Sequence, residues 1–129
     1  MSGCVFCDGI GERRLVVDEE LVVAFEDAFP VSPGHTLVIT RRHVADYFGA
    51  TDEEKAAIWS VVDRVKAEAE RGSPCPDGFN VGFNAGTAAG QTVMHLHVHV
   101  IPRYAGDVVD PRGGVRGVIP GKQKYGAGR

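Results

Sequence analysis

Three histidines alternate with apolar residues in the segment HLHVHVIPR, which runs from His95 to Arg103. Successive side chains of a β-strand point to opposite faces of its sheet, and every second side chain lies about 7 Å from the last. The pattern therefore predicts a strand on which His95, His97 and His99 share one face. The apolar residues between them would pack into the core from the other face.

The composition indicates one small domain without a general attraction for polyanions. The chain has 129 residues, 43% of them hydrophobic, and a formal net charge of -3, which favours neither nucleic acid nor a membrane surface as a partner. Its longest uninterrupted apolar stretch is Leu21 to Phe25, far shorter than the roughly 20 residues of a membrane span. Residues 1–11 lack the basic start and apolar middle of a signal peptide, so we expect a cytoplasmic protein.

The remaining periodicity predicts strands towards both ends of the chain and one helix between them. Thr51 and Glu54 have the Thr-x-x-Glu spacing of a capping box, and apolar residues follow at helical spacing, so we expect an amphipathic helix that ends near Gly72. Short apolar runs bounded by turn residues predict strands at 15–17, 21–25, 35–40 and 79–83, the first two of which form a hairpin.

The histidine face has three possible roles. The histidines can line a solvated face of a sheet without any chemistry. Two histidines at positions i and i+2 of a strand can bind zinc and leave a coordination position open for water. Alternatively, one neutral imidazole can attack an electrophile while a hydrogen bond holds its other nitrogen.

The loop that precedes the histidines favours the nucleophile over the open metal site. Gly86 and Gly90 allow backbone amides to approach an anion closely. No carboxylate residue occurs between positions 78 and 106 to serve a metal. Neutral hydrogen-bonding side chains stand there instead, namely Asn84, Gln91 and Thr92. This vicinity suits a phosphate group.

The last part of the chain differs in composition from the rest. Residues 111–129 contain six glycines, five basic residues and no acidic residue, which predicts a long irregular tail. We therefore divide the chain into a domain at 1–110 and a tail at 111–129. The tail could be solvated, or it could reach the active site of its own or a partner subunit and contact the phosphates or a second nucleotide.

The segment from His95 to Ile101 resembles the His-φ-His-φ-His-φ-φ signature of the histidine-triad (HIT) family. The similarity continues through Val5 to Cys7, Phe25 to Asp27 and Pro33 to Ile39, and it covers about residues 4 to 107. It implies an α+β fold, in which an antiparallel sheet of about five strands carries one main helix, with a short helical turn near the N-terminus. It also implies a symmetric homodimer.

The resemblance gives each histidine of the site a role. His97 matches the family's nucleophile, which attacks the α-phosphorus of a nucleotide to form a nucleotidyl-histidine that water hydrolyses. His99 matches the residue that hydrogen-bonds the phosphate or bridging oxygen, and His35 matches a further histidine near the phosphate. His95 would be oriented beside the nucleophile, and Gln91 and Thr92 would assist the leaving group.

The resemblance also implies a site for a purine nucleotide. Asp27 stands where the family holds the ribose hydroxyls, and two phenylalanines would flank the base. The expected nucleotide contacts are Phe6, Phe25, Asp27, Asn84, Gly90, Gln91, Thr92, Val93, His97 and His99. The two phenylalanines could instead belong to the core, and Asp27 could be a turn residue before Pro30.

The two N-terminal cysteines suggest a structural zinc site. Cys4 and Cys7 have the spacing of one half of a zinc knuckle, and some bacterial HIT proteins complete such a site with histidines that correspond to His43 and His95. Two thiolates and two imidazoles give a closed tetrahedral site. The alternative is a pair of free thiols. We expect zinc as the cofactor and no organic cofactor.

The motif around Thr92, together with PRYAGD at 102–107, is closer to dinucleoside polyphosphate hydrolases of the fragile-histidine-triad type than to phosphoramidases. The predicted function is cleavage of such substrates at the α-phosphate. Hydrolysis of purine nucleoside phosphoramidates or acyl-nucleotides is the first alternative, and phosphorolysis is another. From a different class, the chain could be a nucleotide-binding module without turnover.

Overall fold

Five strands form one antiparallel sheet in the computed structural model, which describes residues 3–126 of the chain. The strands are β1 Val17–Asp18, β2 Val22–Glu26, β3 Thr36–Thr40, β4 Gly78–Gly82 and β5 His97–Arg103. Their order across the sheet is β1-β2-β3-β5-β4. Two helices accompany the sheet, α1 at Val5–Gly9 and α2 at Asp52–Glu70. The predicted α+β class and five-stranded antiparallel sheet are confirmed.

The histidine strand lies inside the sheet, since β5 pairs with β3 on one side and with β4 on the other. Its register with β3 places His97 opposite Ile39 and His99 opposite Leu37. Every backbone donor and acceptor of an interior strand has a partner strand within reach. The two histidines are therefore fixed on a strand that cannot fray at an edge.

One face of the sheet packs against α2. The helix begins with the predicted capping box, in which the hydroxyl of Thr51 accepts from the Glu54 amide at 3.0 Å and the Glu54 carboxylate accepts from the Thr51 amide at 2.9 Å. The core on this face contains Val38, Val98 and Val100 from the sheet and Ile58, Val61, Val62 and Val65 from the helix. No helix within residues 3–126 is both long and apolar enough to span a bilayer.

The other face carries the histidines and a smaller apolar layer beneath α1. That layer consists of Phe6, Val23, Phe25, Leu37 and Ile39, all of them buried. Alternation along β2, β3 and β5 explains the division, because neighbouring residues of each strand face opposite cores. The sheet thus separates the core beneath α2 from the face that carries His97 and His99, in agreement with the alternation along β5.

The histidine strand begins two residues later than predicted. His95 lies before β5, where the amide of the next residue, Leu96, donates to the carbonyl of Val44 at 2.8 Å. The His95 ring is fully buried, which fits the structural role expected for it and excludes a solvated face for this histidine. The strand begins later because the carbonyl of Val44 accepts from the Leu96 amide, so this amide is not available to a neighbouring strand.

The C-terminal segment is more ordered than an irregular tail. It contains a 3₁₀ helix at Gly114–Val118 and folds back on itself. Lys124 and Arg112 both pair with Asp110 at 2.9 Å. Gly113 has a φ of +89°, and a Cβ there would lie 1.7 Å from the carbonyl oxygen of Gln123, so only glycine closes this turn. The predicted tail residues 127–129 lie outside the described part of the chain.

Candidate active site and metal centre

A hydrogen bond to the backbone fixes the orientation of the His97 ring. Its Nδ1 lies 2.8 Å from the carbonyl oxygen of His95. Because a carbonyl only accepts hydrogen bonds, Nδ1 carries a proton, and in the neutral tautomer with this bond Nε2 carries the lone pair. The ring also contacts Phe6 edge to face, with centroids 5.1 Å apart. This geometry gives His97 a nucleophilic nitrogen of fixed orientation.

A chain of hydrogen bonds sets the tautomers of His35 and His99. The amide of Val31 donates to Nδ1 of His35 at 3.1 Å, so the His35 proton sits on Nε2. That nitrogen lies 2.9 Å from Nδ1 of His99 and donates to it. Nε2 of His99 must then carry a proton. His99 is consequently a hydrogen-bond donor, as expected for a residue that contacts phosphate oxygens.

Burial keeps these two rings neutral. Loss of solvation, followed by the nearby His97 and His35 rings, lowers the pKa of His99 to about 4. Burial also lowers the pKa of His35, although the carboxylate of Asp27 opposes that change. Asp27 lies 3.5 Å from Nε2 of His35. Neutral imidazoles at pH 7 are what the hydrogen-bond chain requires.

A cavity of about 410 Å³ opens in front of His97 and His99 and is here called the nucleoside cavity. Six of the expected nucleotide contacts line it besides these two histidines, namely Phe6, Asp27, Asn84, Gly90, Thr92 and Val93. One oxygen of Asp27 accepts from the Phe29 amide at 2.8 Å, as in a turn. The Asn84 side chain makes no hydrogen bond within residues 3–126 and is available to a ligand.

One expected contact lies away from the cavity. Phe25 is 1% exposed and lies beneath Phe6 in the apolar layer, outside the lining of the nucleoside cavity. Of the two places that the sequence left open for this residue, it occupies the core. Arg13 lines the cavity instead, and its guanidinium lies 4.4 Å from the centroid of the Phe25 ring. No motif marks Arg13 in the sequence.

Gln91 supports the glycine loop. Its side-chain oxygen accepts from the Gly86 amide at 2.9 Å, and its nitrogen donates to the carbonyls of Ala45 and Val93. Both donor hydrogens of the amide are therefore used, and the side chain is 3% exposed. These bonds fix the backbone that carries Thr92 and Val93 into the nucleoside cavity. Direct contact with a leaving group stays a prediction for Gln91.

Four residues predicted to bind zinc come together although they are far apart in sequence. The ligand atoms of Cys4, Cys7, His43 and His95 all lie within 4.8 Å of one another. Nδ1 of His95 is 3.5 Å from the Cys4 sulfur and 3.4 Å from the Cys7 sulfur, and Nδ1 of His43 is 3.3 Å from the Cys7 sulfur. The cluster joins α1 and its N-cap to His43 and to His95, which lies two residues before β5.

This cluster fits a tetrahedral zinc ion. Zn–S distances of about 2.3 Å and Zn–N distances of about 2.0 to 2.1 Å place sulfur and nitrogen about 3.6 Å apart at tetrahedral angles. Nε2 of His95 donates to the carbonyl of Thr40 at 2.6 Å, which leaves Nδ1 unprotonated toward the thiols. Burial lowers the pKa of His95, which also favours the neutral ligand form.

Comparison with known proteins decides the family. The HIT domain model matches residues 11–106. The chain belongs to the HIT family. A HIT family protein of known structure from Bacillus anthracis str. 'Ames Ancestor' is 40% identical with a TM-score of 0.76, covering 82% of this chain and 77% of that one.

Two further HIT relatives bear on the chemistry. The crystal structure of a zinc-bound histidine triad family protein from Mycobacterium smegmatis is 34% identical with a TM-score of 0.77, covering 84% of this chain and 80% of that one. An AP-4-A phosphorylase from Mycobacterium tuberculosis is 39% identical over 97 residues, which are 74% of this chain and 49% of that protein. The match thus spans about half of the phosphorylase.

The low pKa of His99 predicts an acid-sensitive contribution to stability. Its folded pKa of about 4 lies below the ordinary value of 6.5, so the unfolded chain binds more protons between these pH values. We expect the free energy of unfolding to fall as the pH is lowered from 6.5 to 4. Urea unfolding at several pH values should show a smaller decrease for His99→Gln than for the wild type. Equal decreases would contradict the assignment.

Proposed function

We propose that this HIT protein hydrolyses nucleotides at the α-phosphate through a covalent nucleotidyl-His97 intermediate. The observation that carries the proposal is the bond from Nδ1 of His97 to the His95 carbonyl, because it leaves Nε2 as a nucleophile facing the nucleoside cavity. The donor nitrogen of His99 stands beside it for the phosphate oxygens.

In the first step Nε2 of His97 forms a bond to the α-phosphorus, and the bond from phosphorus to the bridging oxygen breaks. The electron pair leaves with that oxygen, whose charge is stabilised by the N–H of His99. The His97 ring becomes positively charged, and its Nδ1–H bond to the His95 carbonyl stabilises that charge. A phosphate leaving group needs no proton from the protein.

In the second step water attacks the phosphorus and the bond to Nε2 breaks. The electron pair of that bond returns to His97, which is again neutral. One proton of the water stays on the product phosphate and the other passes to solvent. The Asn84 amide and the backbone amides near Gly90 suit the phosphate oxygens throughout, since they line the same cavity.

The substrate class that we propose is the dinucleoside polyphosphates, such as diadenosine tri- or tetraphosphate. Support comes from the similarity to an AP-4-A phosphorylase and from a cavity that combines an aromatic wall with the Asp27 carboxylate. Phe6 would contact the purine and Asp27 the ribose hydroxyls. Purine nucleoside phosphoramidates form the second candidate class, because His99 can donate to a bridging nitrogen as well as to oxygen.

Replacing the nucleophile tests the covalent mechanism. His97→Ala should lower kcat for diadenosine tetraphosphate by at least about 10⁴-fold, since the substitution removes the attacking atom. Calorimetric binding of AMP should persist, because the nucleoside cavity keeps its other walls. Mass spectrometry of the quenched wild type should show one added nucleoside monophosphate on the peptide that contains His97.

The products and a matched control complete this test. Turnover that survives in His97→Ala contradicts the covalent mechanism, and absence of turnover in the wild type supports the nucleotide-binding module instead. ADP formation that requires added inorganic phosphate, in place of AMP formation, identifies phosphorolysis. Val109→Ala, at a fully exposed position outside the cavity, serves as the control and should behave as the wild type.

For the Cys4, Cys7, His43 and His95 cluster we propose one structural zinc ion. Bound there, zinc supplies a closed cross-link between α1 and the segment before β5, with no position for water. Protein purified without added metal should contain about one zinc per chain, and the double variant Cys4→Ser/Cys7→Ser should contain none. The variant Cys75→Ser, at an exposed thiol, should keep its zinc. Folded, metal-free wild type would overturn the proposal.

Dimerisation is proposed through an exposed aromatic cluster. Tyr47 stacks on Phe83 with centroids 4.5 Å apart, and Phe48 and Trp59 adjoin it with 70% and 40% of their surfaces exposed. A patch of this kind on a small chain favours pairing with a second copy. Sedimentation equilibrium should give a dimer for the wild type and a monomer for Phe48→Asp. A monomeric wild type at micromolar concentration contradicts the proposal.

A further inference from the structure

A second cavity adjoins the nucleoside cavity and is here called the distal cavity. Its volume is about 570 Å³. His99 and Asn84 line both cavities, whereas His97 lines only the nucleoside cavity of the two. The two cavities therefore meet at the residues assigned to the phosphate, and the nucleophile stands on one side only.

The walls of the distal cavity are mainly apolar. Val31, Phe83 and Ile101 belong to the HIT domain, and Val115 and Val118 come from the 3₁₀ helix of the C-terminal segment. The only lining residue with a permanent charge, among those described, is Arg103. Its guanidinium already donates to Asp107 at 2.8 Å and to Asn80 at 2.7 Å.

The C-terminal segment supplies a wall to this cavity, while three of its cationic side chains make contacts elsewhere. Arg112 and Lys124 pair with Asp110, and Arg116 donates to the Gln123 carbonyl at 3.3 Å. The closed turn at Gly113 holds the 3₁₀ helix in place. The segment lies outside residues 11–106, which match the family model. Its two valines therefore lie beyond the part of the chain that the family model matches.

The geometry of displacement at phosphorus indicates which part of a substrate would occupy the distal cavity. The attacking and leaving atoms are roughly in line on opposite sides of the phosphorus. With His97 in the nucleoside cavity and His99 at the bridging atom, the leaving group departs past His99. The charged part of a leaving group would find no unpaired guanidinium among the described lining residues, whereas an aromatic or aliphatic part would bury apolar surface against the valines and Phe83.

We propose that the distal cavity binds the apolar part of the leaving group and that Val115 and Val118 determine which leaving groups are accepted. The inference rests on the proposed function, because it takes His97 as the nucleophile. The apolar part can be an aromatic amine bound directly to the phosphorus, or the base of a second nucleoside reached through a polyphosphate. Both present the same planar apolar ring to the cavity.

Three substrates that share the adenosine 5′-phosphoryl group and differ in the leaving group test the proposal. They are the unsubstituted 5′-phosphoramidate, its tryptamine conjugate and diadenosine tetraphosphate. In Val115→Asp and in Val118→Trp, the ratio of kcat/KM for the tryptamine conjugate to that for the unsubstituted compound should fall at least about tenfold, because a charge or a bulky ring occupies the cavity. Val109→Asp, at a fully exposed position just before this segment and outside the distal cavity, should keep the wild-type ratio.

The losses of kcat/KM for the three substrates identify what occupies the distal cavity. A parallel loss for diadenosine tetraphosphate shows that the second base uses the cavity, and a loss for the tryptamine conjugate alone shows that the occupant is attached directly. Both support the proposal. An unchanged ratio in both folded variants, or equal losses for all three substrates, overturns it. Thermal denaturation of each variant identifies any unfolded protein, and the two variants introduce different side chains.

A binding measurement separates this proposal from the proposed function. In the His97→Ala background, calorimetry compares the affinities for AMP and for the AMP–tryptamine conjugate. The conjugate should bind more tightly than AMP, and Val115→Asp should remove about tenfold of its affinity while Val109→Asp should not. If the wild type shows no turnover but the conjugate still binds in this way, the covalent mechanism is wrong and the proposal for the distal cavity is supported. If the wild type turns over substrate but binds the conjugate no more tightly than AMP, the proposal for the distal cavity is wrong and the proposed hydrolase function stands.

Discussion

The buried side chain and carbonyl of His95 are the point on which the rest of the site depends. Its Nε2 donates to Thr40 at the end of β3, and its Nδ1 faces the sulfur atoms of Cys4 and Cys7. Its carbonyl accepts from the His97 ring. One residue therefore joins the sheet, the cysteine cluster and the nucleophile, and it does so because it lies two residues before the regular strand. A movement of this residue would change all three.

Neutral histidines dominate the electrostatics of the site. Burial lowers the pKa of His35, His95 and His99, so each ring has one donor and one acceptor nitrogen at pH 7. Each hydrogen bond then fixes the next tautomer, and the chain from Val31 to His99 has a single direction. The arrangement depends on burial, because an imidazolium has two donor nitrogens and could not accept a bond within such a chain.

Local patterns predicted much of the fold and the composition of the site. The capping box of α2 and the alternation of β5 are local and therefore legible in a few residues. The sequence was less informative where contacts between distant segments determine the structure. The strand begins at His97 because the chain near Val44 takes the hydrogen bond of Leu96, and Phe25 lies below the cavity because α1 covers it with Phe6.

The sequence by itself determined that three alternating histidines follow a glycine loop, that His97 and His99 belong to one strand with both side chains on the same face, and that the chain resembles HIT proteins; it also placed His95 on that strand, which the structure does not. Only the tertiary structure decided which nitrogen of each ring carries the proton, since the partners of the hydrogen bonds come from other segments. It also brought Cys4 and Cys7 to His43 and His95, and it placed the C-terminal valines beside His99. Periodicity is a property of neighbouring residues, whereas these contacts depend on how the whole chain closes upon itself.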